Sequence, residues 1–207
     1  MLLLKNMLPT KNNLMKIKGQ MNLSIQGQEL LEKKKIILNV EKNKYINKYS
    51  ELKNKLITQL QEGHQLLQSA NVDVGLDEMV NIANTIEPEN SIDIKYKTVM
   101  GVEIPSIIYD EKKIGSPNYS LNGTTISVDM AVLKFAEIKK TIIELSEVEN
   151  TINKLNKAIE KVQKRSNALK DIIIPEYKVQ VKKIQDILEE REREDLSRMK
   201  VLKRNNG

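Results

Sequence analysis

Cysteine and tryptophan are absent from the 207 residues, and Phe and His occur once each. Without Cys there is no disulfide framework and no thiolate metal site. With His64 as the single imidazole, neither a thiol-based nor a His-based catalytic arrangement can be assembled. No Gly-rich phosphate loop ending in Gly-Lys-Ser or Gly-Lys-Thr occurs. Aromatic residues make up only 3% of the chain, too little for a compact aromatic core, so Leu, Ile and Val must supply a thin one. Gly and Pro number eight and five, which leaves few turns and points to a mostly helical protein. No run approaches the ~20 apolar residues that span a bilayer. Lys5 and Asn6 interrupt the apolar start, Met1 to Leu4, too early for a signal-peptide core. These absences predict a cytoplasmic protein without direct membrane insertion.

Charge is abundant by contrast, at 30% of residues with a net +6. Its distribution is uneven: 11–55 carries eleven Lys against four Glu, whereas 61–111 carries ten acids against two Lys. A nucleic-acid module combines clustered Arg with stacking aromatics. Here five of thirty-four basic residues are Arg and aromatics are scarce, so no nucleic-acid partner is expected.

The strongest pattern lies near the C-terminus. Counting by sevens gives Ile138, Leu145, Ile152, Ile159, Ser166 and Ile173, with the companion series Thr141, Val148, Leu155, Val162 and Leu169. Nine of these eleven positions are apolar, which defines a coiled-coil seam over about five heptads. The helix is expected to continue toward Arg204 with a bend at Pro175, which lacks an N–H for the helical ladder.

A weaker seam runs through the N-terminal arm as Ile17, Ser24, Leu31, Leu38, Tyr45, Leu52, Gln59 and Leu66, with Leu14, Met21, Gln28, Lys35, Lys42, Tyr49, Leu56 and Gly63 as the companion series, polar around Gln28 to Lys42. Thr10 is the expected N-cap, and Gly19 and Gly27 are candidate points of close helix approach. Between the arms, a break over 71–75 precedes a short helix over 76–85, which Glu87-Pro88-Glu89 ends. Ile92, Ile94 and Tyr96 then alternate with Asp93 and Lys95, and Val102, Ile104, Ile107 and Ile108 follow Gly101. This predicts a β-hairpin over about 92–108, although Met100-Gly101 is not a favoured turn sequence. Residues 110–122 read as a loop.

The expected fold is mainly α: a long antiparallel two-helix coiled coil from the N- and C-terminal segments, with a short β-hairpin and small helix in the central connection. The expected divisions are 9–68, 69–127 and 128–204. The seam is assigned to Leu31, Leu38, Tyr45, Leu52, Ile138, Leu145, Ile152, Leu155, Ile159, Val162, Leu169 and Ile173. The run Glu189-Glu190-Arg191-Glu192-Arg193-Glu194-Asp195 alternates acids with Arg, so it reads as an ion-paired helical face rather than a metal site. No cofactor, metal or catalytic residue is expected.

Three groups of landmarks occur in order along the chain. The first is Pro9-Thr10-Lys11, Leu14, Lys18, Gly27, Leu30-Leu31 and Lys33-Lys34-Lys35. The second is Val99-Met100-Gly101-Val102-Glu103-Ile104-Pro105. The third is Arg165-Ser166-Asn167-Ala168-Leu169, Ile174-Pro175 and Leu188 through Glu194. On these the sequence resembles the D subunit, the central rotor shaft of V-type and A-type ATPases and ATP synthases. Family members commonly have Val where this chain has Ser166, and more Arg among their basic residues.

The resemblance implies a non-catalytic subunit whose paired termini enter a hexameric A/B head. The opposite end, with the hairpin, would bind the small F subunit of the central stalk and stand on the membrane rotor ring through a funnel-shaped subunit. Val99, Met100, Gly101, Val102, Ile104 and Pro105 are then candidate partner-binding residues. The protein would be peripheral to the membrane and would transmit torque during ATP synthesis or ion transport. A non-catalytic coiled-coil scaffold or tether would share the heptads. A membrane-surface protein would need bulky apolar residues opposite lysines, whereas these arms carry a narrow Leu/Ile stripe.

Overall fold

The structure, a computed structural model, describes residues 8–85, 92–109 and 123–205. Helix α1 (Lys11–Val74) is followed by a short α2 (Leu76–Asn84) and an antiparallel hairpin of β1 (Ile92–Val99) and β2 (Val102–Tyr109). Helix α3 (Ile126–Ala168), a π-helical turn (Leu169–Ile173) and α4 (Ile174–Asn205) complete the chain. A long N-terminal helix packed against a long C-terminal one, with a two-stranded hairpin in between, is the mainly α fold expected from the heptads. The expected stop at Glu87-Pro88-Glu89 and the loop over 110–122 lie outside the described residues.

The chain divides into two compact units. The first comprises the described parts of Met1–Ile37 and Ile159–Gly207. Thr10 caps α1 here, accepting a hydrogen bond from the Asn13 amide at its Oγ1 (3.3 Å). The pairing is antiparallel: Lys11 meets Glu192 at 2.7 Å, while Glu32, further along α1, meets Ser166. Ile17, Val181 and Ile184 form the buried centre, with Leu14, Tyr177 and Leu188 packed around it.

Ser166 is 1% exposed, yet its hydroxyl is satisfied, donating to Glu32 Oε1 at 2.6 Å. This is how a polar residue fits a seam position. The Glu32 side chain is itself partly exposed, with its other carboxylate oxygen 3.8 Å from Lys35 Nζ. The acidic run beyond Leu188 is exposed, with Glu192 on Lys11 and Glu194 on Arg198 (3.9 Å).

The helical run continues through Pro175, as expected, and the proline is met by a local change of helix type. A π-helical turn closes just before it, with the Ile174 amide donating to the Leu169 carbonyl five residues back. Pro175 has no N–H to give Asp171, and its ring would press on that carbonyl, so a wider turn relieves both problems. The turn also resets the seam. Strict heptads from Ile173 would place Gln180 inward, but the buried residues are Ile174, Val181 and Ile184. Ser166 and Ile174 are eight residues apart rather than seven, which matches the one residue that a π turn adds.

The second unit is Leu38–Ala158. Leu38, Leu52 and Ala70 of α1 are buried, as are Val128, Ala131, Ile138, Val148 and Leu155 of α3. Antiparallel pairing is again explicit, since Gln59 meets Thr141, Glu62 meets Lys134, and Asp73 accepts from Ser127. Thr141 Oγ1 lies 2.8 Å from Gln59 Oε1 and 3.2 Å from the Glu137 carbonyl, so this buried seam hydroxyl is also satisfied.

Among the described helical glycines, the close approach falls at Gly63 rather than at the two expected. A Cβ at Gly63 would lie 2.8 Å from Ile138 Cδ1, whereas one at Gly19 would meet nothing within 4 Å. Gly27 makes only an ordinary contact, 4.0 Å from Leu169 Cδ1. Gly75, at φ 89°, ends α1 and opens α2 in a backbone region that L-residues avoid.

Candidate functional site

The element that departs from helix packing is the hairpin. Its strands pair from Ile92↔Tyr109 to Val99↔Val102, leaving Met100-Gly101 as a two-residue loop. Both loop residues have positive φ, 51° and 77°, as a type I′ turn requires. This explains why the turn was hard to read from sequence. Gly101 adopts the conformation freely, but Met100 occupies a region that costs an L-residue roughly 1–2 kcal/mol.

The two strands are seated differently. Ile104, 6% exposed, and Ser106 are buried beneath β2. The Ile107 amide donates to Glu147 Oε2 of α3 at 3.0 Å, so the outer edge of β2 is tied to that helix. Pro105 sits two residues earlier on the same outward phase, where its missing N–H costs no ladder bond. Strand β1 is exposed along its length up to Val99, with Ile94 57% and Tyr96 64% exposed. Lys154 of α3 reaches over the Tyr96 ring, its Nζ 5.4 Å from the centroid.

The candidate residues therefore share the closed end of one hairpin but not one environment. Met100 and Gly101 are exposed, Val99, Val102 and Pro105 are half-buried, and Ile104 is turned inward against its own chain. Among the seam residues, Leu38, Leu52, Ile138, Leu155 and Val162 are buried. Leu31, Tyr45, Leu145, Ile152, Ile159, Leu169 and Ile173 are half-buried. Sequence reasoning did not single out Ile92, Ile94 and Tyr96 as surface residues. Their alternation marks a strand, but only the seating of β2 shows which strand is outermost.

Elsewhere, His64 is exposed and meets Phe135 edge-on at 6.2 Å. Among the described residues no group of His, Asp or Glu is placed to hold a metal ion, and no helix is long and apolar enough to cross a membrane. Lys33 and Lys34 are exposed, and Lys35 lies 3.8 Å from Glu32. The Lys134 ammonium is held above the ordinary lysine pKa, first by its hydrogen bond to Glu62, with Glu137 adding to the effect and burial opposing it.

These features define a class: an antiparallel coiled-coil protein with a two-stranded hairpin between its two long arms in the chain, one strand seated and the other open. Comparison with known proteins narrows the class. The family model for the D subunit of ATP synthase matches residues 13–204. The chain is 35% identical over 195 residues to the V-type ATP synthase D subunit of Thermotoga neapolitana, covering 94% of this chain and 96% of that protein. It is 37% identical over 197 residues to the A-type ATP synthase D subunit of Pyrococcus horikoshii, covering 94% and 92%. The chain belongs to the family of ATP synthase D subunits.

Proposed function

We propose that this chain is the central rotor-stalk subunit of a V/A-type rotary ATPase or ATP synthase. It carries torque between the hexameric A/B head and the membrane ion-translocating ring, and it performs no catalysis itself. Segments 9–68 and 128–204 act as the shaft. Segment 69–127 forms the end that receives the small F subunit and stands on the funnel-shaped subunit above the ring. The protein is then cytoplasmic and peripheral to the membrane.

The observation that carries this reading, beside family membership, is the packed seam. In each unit apolar residues from two antiparallel helices interlock at heptad spacing, and buried Ser166 and Thr141 have their hydroxyls satisfied. Such a seam resists both sliding and unwinding, because every displaced layer exposes apolar side chains. The exposed lysines Lys33 and Lys34 offer a solvated surface on which a surrounding head can turn without gripping.

The test is reconstitution. The purified chain is mixed with the F subunit and the preassembled head from the same source, then followed by size-exclusion chromatography and ATPase rate. One copy per head and a changed rate support the proposal. A chain that elutes alone and leaves the rate untouched supports the scaffold or tether reading instead. Replacing Lys33, Lys34 and Lys35 together by Ala is expected to alter coupling in the assembled enzyme, and unchanged coupling would make that cluster an ordinary solvated face.

A further inference from the structure

We infer that the outer edge of β1 is a docking edge for an extended segment of another polypeptide in the complex, apolar on one face and acidic on the other. The inference rests on the reading that this end of the chain receives partner subunits, and it specifies how.

The phase of the ladder comes from two independent observations. A two-residue loop makes Val99↔Val102 a hydrogen-bonded pair, so bonded pairs recur at Lys97↔Ile104, Lys95↔Ser106 and Asp93↔Ile108. The intervening pairs, including Ile94↔Ile107, do not bond across the ladder. The Ile107 amide agrees, since it is given to Glu147 rather than to β1. Across the same pair, Ile94 must therefore direct its N–H and C=O away from β2, as must Tyr96 and Thr98. Among the described residues the sheet has two strands, and nothing pairs with this edge.

An unpaired row of backbone donors and acceptors accepts one kind of occupant, another strand. Side chains specify it further. Ile92, Ile94 and Tyr96 project on one face of β1, and Asp93, Lys95 and Lys97 on the other, with Lys95 and Lys97 exposed. Edges kept for solvent are blunted by charge, Pro or bulges. Here the charges of β1 itself guard only one face, and the other exposes Ile94 and Tyr96 with Lys154 of α3 over the Tyr96 ring. A strand laid beside β1 therefore gains most when its own residues are apolar next to Ile94 and Tyr96 and acidic next to Lys95 and Lys97. A second copy of β1 meets this requirement only in part. Of the registers of greatest overlap, the one centred on Lys95 sets Lys97 against Asp93 but Lys95 against Lys95, and the one centred on Tyr96 sets Lys95 against Lys97.

The test compares hydrogen exchange over 92–99 in the isolated chain and in the assembled complex, and measures the affinity of variants for the remaining subunits. Ile94→Pro removes one outward N–H and leaves the ladder bonds of Asp93, Lys95 and Lys97 in place. The paired substitution Lys95→Glu with Lys97→Glu changes only exposed side chains and carries the test if the proline variant loses its hairpin. Expected are slower exchange over 92–99 in the complex and binding weakened at least about fivefold by either variant. If the chain assembles as one copy but 92–99 exchanges at its free rate and both variants bind normally, the edge inference is overturned and the stalk reading stands. Failure to assemble at all overturns the stalk reading, and this inference with it. Protection that grows with concentration of the isolated chain identifies a second copy as the occupant and also overturns the inference.

Discussion

Gly63 and Gly19 lie on the same helix, and the structure predicts opposite responses to the same substitution. Ala in place of Gly inside a helix gains about 1 kcal/mol of intrinsic propensity. At Gly19 the added methyl meets nothing within 4 Å, so the gain is kept. At Gly63 the methyl would lie 2.8 Å from Ile138 Cδ1 and 3.7 Å from Phe135 Cζ. Ile138 is 2% exposed, so its displaced end has little room. Overpacking of this kind costs about 1–3 kcal/mol, which exceeds the propensity gain and leaves a net loss near 1 kcal/mol.

Thermal unfolding followed by circular dichroism reads the difference. Gly19→Ala is expected to raise the midpoint by about 2–4 °C and Gly63→Ala to lower it by a similar amount. Ile138→Val supplies the decisive control, because it deletes the one atom in conflict. That substitution alone costs about 1 kcal/mol. In its background Gly63→Ala should become stabilising, a coupling of about 2 kcal/mol between the two sites. If Gly63→Ala raises the midpoint as much as Gly19→Ala does, or the coupling stays below about 0.5 kcal/mol, the close approach at Gly63 is refuted.

Three further outcomes are expected. Ser166→Ala removes the bond to Glu32 and should destabilise by about 1 kcal/mol, since the half-exposed carboxylate can return to water. Ser166→Val refills the seam and should recover most of that loss in the same melts, and a Val variant weaker than the Ala variant would contradict the packing described. Met100→Asn relieves the left-handed strain at the hairpin turn and should slow exchange of the ladder amides of 93–99. Faster exchange would mean that Met100 packs more tightly than its exposure indicates. Lys134 has its pKa raised in the folded state, so its stabilising contribution is complete below the unfolded value of about 10.4 and is lost as pH rises through the folded one. Lys134→Met should therefore flatten the alkaline decline in midpoint above about pH 10 and leave the slope between pH 7 and 9 unchanged.

The fold class was legible because an apolar side chain every three or four residues has few ways to be buried. The spacing of Ile138, Val148, Leu155 and Val162 demands a helical partner, and the matching series from Ile17 is the one available. What stayed hidden depends on distances between segments. Gly19 and Gly63 look alike in the sequence, and only the presence of Ile138 opposite Gly63 distinguishes them. Pro175 was visible, but the π turn that accommodates it was not, because the adjustment uses the residues before the proline. At the hairpin, alternation revealed both strands. Which strand is seated and which is open depends on Glu147 and Lys154, some forty to sixty residues further along the chain.

The π turn at Leu169–Ile173 has a consequence for how changes in chain length are tolerated. It works as a phase corrector: one surplus residue is absorbed within a single turn, and everything after it faces the way it would have faced without the surplus. Deleting one residue there, for example Lys170, together with Pro175→Ala to remove the ring that the wider turn accommodates, should convert the turn to ordinary α-helix and leave Val181 and Ile184 facing inward. Deleting one residue from the middle of α4 has no such reserve to draw on. It would rotate the following side chains by about 100° and swing the charged face toward the apolar one. Single-residue length variation is thus tolerated at one address in this arm and disruptive a few turns away.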